Sequence, residues 1–150
     1  MLCQHYMVRS AAARSTVLDT ATLGEALVKM IKHHMQQLLV VNVEGTYLGE
    51  ITTFTLAKLL LPDLHGRAQT QEEAQIETVA DVDDRITPHL GRKVADLIEH
   101  ENPIVRPDTP LSEAIAMFAS GKLRLPVVDP GTNQLIGVIS PLTVLRRYQF

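Results

Sequence analysis

Tryptophan is missing from this 150-residue chain, cysteine occurs once, and there are only three tyrosines and three phenylalanines. A core of aromatic stacks is therefore excluded, and the interior must be filled by Leu, Val, Ile, Ala and Met. The single thiol, Cys3, excludes an internal disulfide framework and suits a reducing compartment. No apolar run approaches the roughly 20 residues that cross a bilayer. The stretch after Met1, "LCQHYMVRSAAARS", lacks the apolar centre of a signal peptide, and the terminus around Cys3 is expected to fray. Positive charge is also short: 14 Lys and Arg against 17 Asp and Glu leave a net charge of −3, which argues against a nucleic-acid partner. What is present is 45% hydrophobic and 21% charged, the composition of a folded globule. The length fits one domain or two very small units sharing a core. The expectation is a cytoplasmic protein with no membrane insertion.

The chain repeats itself. "LLVVNVEGTYLGEIT" from Leu38 to Thr52 returns as "LPVVDPGTNQLIGVIS" from Leu125 to Ser140. At a displacement of 88 positions Val17 meets Val105, Leu23 meets Leu111, Glu25-Ala26 meets Glu113-Ala114, Gly49 meets Gly137 and Thr55 meets Thr143. The middle strand aligns better at 87, so a small insertion near His33-His34 is compensated in the following turn. Each copy has the same order of signals. A short strand (Thr16 to Leu18; Ile104 to Arg106) precedes a helix. Leu23, Ala26, Leu27, Met30 and Ile31 recur at helical spacing, with Thr22 and Glu25 placed as a capping box. In the second copy Leu111, Ala114, Ile115 and Phe118 repeat the stripe, Pro110 suits the helix start and Gly121 its end. Two β-branched runs separated by turn residues follow, and a closing helix starts at Thr52 or Ser140.

The order β-α-β-β-α, twice, is an α/β (α+β) fold in which two units of about 55 residues, each too small to be comfortable alone, pack sheet to sheet about a pseudo-two-fold axis. The first unit is taken as residues 1–61, a linker as 62–90 and the second unit as 91–150. Within the linker, Thr70 with Glu73 is placed to open a helix through Val79, "ADVDDR" reads as a solvated acidic bend, and "RKVADLIEH" as a short helix leading into the second copy.

In sequence order, "KVADLI", "VRPDTPLSEAIAMF", "RLPVVD" and "LIGVIS" resemble the second half of a tandem CBS domain pair, the Bateman module, and the likeness runs from about Tyr6 to Tyr148. The resemblance implies a non-catalytic sensor holding an adenosine-type ligand such as AMP, ATP or S-adenosylmethionine between the repeats, with no required cofactor. It also implies a homodimer and an effector protein of unknown identity. The family's signature places a Ser or Thr after the strand glycine to touch phosphate, and three residues later an Asp to hold the ribose. Here Gly49, Thr52 and Thr55 stand at those positions in "GEITTFT", and Gly137, Ser140 and Thr143 in "GVISPLT". Arg106, Arg124, Pro126 and Val128 complete the expected cleft, with the second copy as the better site.

The same residues have an independent physical rationale. Glycine allows close approach, and free N–H groups at a helix start favour an anion. A carboxylate one turn in would bind a diol; threonine in its place is expected to weaken binding about ten- to a hundredfold. Plainer roles stand beside these. Thr52 and Ser140 serve equally as helix caps, Thr55 and Thr143 as solvent-facing residues, Arg124 with Lys122 as surface charge, and Pro126 with Asp129 as strand entry and turn. His33 and His34 point about 100° apart on a helix, which is not metal-ligand spacing. No nucleophile has a matched base, so no enzyme is expected. The alternative to a sensor is a ligand-free dimerisation scaffold with degenerate nucleotide sites.

Overall fold

Thr16–Leu18 forms β1 and Leu23–Lys32 forms α1 in the structure, a computed structural model that describes residues 1–9, 14–60, 79–100 and 102–146. The Thr22 hydroxyl accepts the Glu25 amide at 3.2 Å and the Glu25 carboxylate accepts the Thr22 amide at 3.2 Å, the reciprocal cap that the spacing predicts. Leu23, Ala26 and Met30 form the buried stripe, whereas Ile31, placed in it by spacing, is 73% exposed. β2 (Gln37–Val41) pairs antiparallel with β3 (Tyr47–Thr52), and β1 adds parallel to β2. α2 (Thr53–Leu60) follows β3 directly.

The linker's acidic stretch is not a bend: it lies inside α3 (Val79–Ile86), which exposes Asp81, Asp83 and Asp84. Arg85 Nε donates to the Leu60 carbonyl at 2.7 Å, tying α3 to the end of α2. The helix expected from Thr70 and Glu73 falls largely outside the described residues. The second copy supplies α4 (Leu111–Ala119), the antiparallel pair β4 (Leu125–Val128) and β5 (Leu135–Ile139), and α5 (Pro141–Leu145). Its expected first strand shrinks to one parallel bridge, Val105 with Val127. Pro103 and Pro107 flank that bridge and have no N–H with which to extend it.

The backbone carries the duplication as clearly as the sequence. The hairpin turns place Gly45 (φ 86°) and Asn133 (φ 59°) in the left-handed region, and the ends of α1 and α4 do the same with His34 (φ 52°) and Gly121 (φ 106°). Each β-hairpin has its irregularity at the same place, after Val40 and after Val127. The two hairpins meet through exchanged bonds: Tyr47 N–H donates to the Asn133 carbonyl at 2.9 Å, and Leu135 N–H to the Gly45 carbonyl at 3.1 Å. These bonds interchange under the 88-residue displacement, so the pseudo-two-fold axis passes between them.

The segments that lead into each copy pack on the other one. A 3₁₀ turn at Cys3–His5 is fixed by hydrogen bonds that the Cys3 and Gln4 N–H groups donate to the carbonyls of Thr109 and Pro107, and Val8 exchanges backbone hydrogen bonds with Val138 on β5. Cys3 is fully buried and Tyr6 is 6% exposed, both in the second copy's core with Leu111, Leu125 and Ile139. The frayed terminus expected at Cys3 is thus corrected: two side chains and a bridge hold it in place. Conversely, the turn at Val94–Leu97 and the Glu99 bridge to Glu50 sit on the first copy, with Val94 buried beside Met30, Val40 and Ile51. Among the described residues no helix is long and apolar enough to cross a membrane.

Candidate ligand-binding cleft

A cleft of about 440 Å³ opens where β3 runs into α2, and both copies contribute to it. The first copy provides Thr52, Phe54 and Glu50; the second provides Glu99 from its lead-in, and Lys122 and Arg124 from the loop before β4. Of the sequence-predicted residues, this cleft brings together Thr52 and Arg124. The free amides expected at the helix start are not free. Thr53 N–H donates to the Gln36 carbonyl at 3.0 Å, and those of Phe54 and Thr55 donate to the Thr52 hydroxyl at 3.2 and 3.4 Å. Attraction for an anion therefore falls to Lys122 and Arg124 rather than to the helix dipole.

Thr55 is not solvent-facing. It is 8% exposed, and its hydroxyl donates to the Glu99 carboxylate at 2.8 Å. Lys58 Nζ stands 3.7 Å from the same carboxylate oxygen. Glu50, also almost fully buried, is bonded by the Gln37 amide. Burial pushes its carboxyl above the ordinary carboxylate range; the Gln37 bond and the Lys122 charge oppose this, and Glu99 adds to it. The cleft is thus acidic on the β3 side and basic on the Lys122–Arg124 side.

At the equivalent helix start of the second copy, Ser140 caps α5. Its hydroxyl accepts the Thr143 amide at 3.3 Å, and the Thr143 hydroxyl accepts the Ser140 amide at 2.9 Å. Thr143 lines a separate recess of about 370 Å³ with Tyr6, Met7 and Arg146. The glycines admit close approach, but what approaches is the exchanged lead-in. A Cβ on Gly49 would overlap Ile98 and lie 2.8 Å from the Glu99 carbonyl oxygen, and one on Gly137 would lie 2.9 Å from the Met7 sulfur. Pro126 and Val128 are buried in β4. Arg106 reaches the carbonyls of Val128 and Asp129 at 3.4 and 3.3 Å, and Asp129 Oδ1 closes the following turn on Gly131 N–H at 2.7 Å.

Sequence reasoning missed Phe54, Glu50 and Glu99. Glu50 left a trace, a charged residue inside the apolar run "YLGEI". Glu99 left none, because its position depends on the crossing of the lead-in.

A model of the CBS domain matches the chain twice, over residues 5–62 and 94–149, and the chain belongs to that family as a tandem pair. It is 26% identical over 137 residues to the chloroplastic CBS domain-containing protein CBSX2 of Arabidopsis thaliana, a match that takes in 87% of this chain and 56% of that protein. The chain thus spans little more than half the length of that relative. The crystal structure of the CBS-pair protein CBSX2 superimposes with a TM-score of 0.70 at 24% identity, over 97% of this chain and 92% of that one. CBSX2 in complex with AMP gives 0.68 at 22% identity, over 97% and 94%. CbpB in complex with c-di-AMP gives 0.70 at 14% identity, over 98% and 83%. At these identities the likeness is one of fold.

Proposed function

We propose that the chain is a regulatory, non-catalytic module that holds an adenosine-type nucleotide in the 440 Å³ cleft and passes its occupancy to a second copy or to an effector protein. The observation that carries this reading is a single cleft to which both repeats contribute. Thr52 and Phe54 come from one side and the cations Lys122 and Arg124 from the other. An exposed phenyl ring offers a stacking face, and guanidinium and ammonium groups offer charge-assisted bonds to phosphate. A ligand spanning the repeats changes their packing as far as its affinities for two arrangements differ. The AMP and c-di-AMP complexes of CBSX2 and CbpB support the ligand class.

The test is a thermal-shift series with AMP, ADP, ATP, S-adenosylmethionine and NAD. A ligand at a hundred times its dissociation constant adds about 2.7 kcal/mol of stability, which raises the melting temperature by several degrees. No shift with any of them at millimolar concentration would remove the nucleotide reading. A second reading, a dimerisation scaffold, draws on Phe54, Leu142 and Leu145, which stand 74%, 57% and 50% exposed on the closing helices. It is favoured if no compound shifts the melt while sedimentation shows a concentration-dependent dimer.

A further inference from the structure

We propose that Arg14, Ser15, His33 and Arg124 form a second anion subsite beside the main cleft, which makes this chain prefer adenosine ligands carrying a phosphate chain over the monophosphate. This rests on the nucleotide reading above. A recess of about 280 Å³ is lined by these four residues and Met35, and His33, Met35 and Arg124 line the main cleft as well. Arg124 is therefore a shared wall, and a ligand in the larger space can extend past it into the smaller.

Three features of the recess call for an anion. Two arginines line the one recess, Arg124 half-buried and Arg14 exposed, and burial followed by the Arg14 charge pushes the Arg124 group below its ordinary range. Among the described residues neither has a counter-ion, the ion pair found there being Lys58 with Glu99. Like charges in a partly desolvated recess repel unless an anion lies between them. Ser15 is 2% exposed, and its hydroxyl has no hydrogen-bond partner among the described residues. Buried hydroxyls are nearly always bonded, and this unmet one lines the same recess as the two arginines, where it can donate to an oxyanion. Guanidinium forks match phosphate geometry in two-point contacts, which suits a phosphate beyond the first.

Calorimetric titration of the full chain with AMP, ADP and ATP, without divalent cations and at fixed ionic strength, tests the subsite. ATP is expected to bind at least tenfold tighter than AMP, and Arg14→Gln and Ser15→Ala are each expected to bring that ratio toward one. Circular dichroism melts check that both variants fold. Ser15→Ala only removes an unbonded hydroxyl, so it carries the test if Arg14→Gln does not fold. Equal affinities for AMP and ATP, or a ratio unchanged in the variants, would overturn the subsite and leave the nucleotide reading standing. If no nucleotide binds, that reading fails, and inorganic tripolyphosphate decides the subsite alone: binding weakened by Arg14→Gln supports it, and no binding overturns it.

Discussion

Glu50 is the single charged side chain among the buried polar residues described, and it sits in the cleft wall with Glu99 as a neighbour. A carboxyl whose value is raised on folding contributes stability below its ordinary value near 4.5 and loses it as pH climbs through the raised value. At neutral pH its ionised form is therefore a burden on the fold. Glu50→Gln keeps an oxygen for Gln37 and removes the charge. The variant is expected to melt above the wild type at pH 7, with the gap closing toward pH 4. A variant that melts lower at pH 7, with the deficit closing toward pH 4, would show that Lys122 outweighs burial. At this scale the sequence spoke unevenly. The caps at Thr22 and Ser140 were legible because their partners lie three residues away. The burial of Thr55 was not, since its partner Glu99 is 44 residues further on.

Elements repeat even where their residues do not. At the hairpin turns and the ends of α1 and α4, each left-handed position has glycine in one copy and a side chain in the other: Gly45 against Asn133, Gly121 against His34. Sequence patterns flag the glycines and pass over the histidine, which is why the end of α4 was easier to place than that of α1. Equivalent glycines on β3 and β5 are likewise not equal in consequence. Gly49 (φ 150°) is pressed by a side chain and a backbone carbonyl, whereas Gly137 is covered by the flexible Met7. Gly49→Ala is expected to cost on the order of 3 kcal/mol, and Gly137→Ala about 1 kcal/mol, read from urea unfolding midpoints. Equal losses would mean that Ile98 and Glu99 yield as readily as a methionine. The strand expected at Ile104 to Arg106 failed for an elementary reason, the prolines on either side.

The whole molecule is laced by its lead-ins, and this was the least legible level. Periodicity reports which face of a segment is apolar, not which copy will cover it. "KVADLI" was recognised as an element and assigned by order to the second copy, while its Val94 fills the first copy's core. The crossing makes a firm prediction. Residues 91–150 made alone lack Cys3, Tyr6 and Val8 and leave Val94 to Glu99 without a seat, so this piece is expected to remain largely unfolded by circular dichroism. Mixing it with residues 1–61 is expected to restore structure, and independent folding of either piece would show that the exchange is dispensable. The exchange also bears on how such a chain came to be single. One unit with its own leader satisfies these contacts only by trading leaders with a second molecule, an association set by abundance. Fusing the two fixes the trade at a millimolar effective concentration, so the pair stays assembled however dilute the protein becomes.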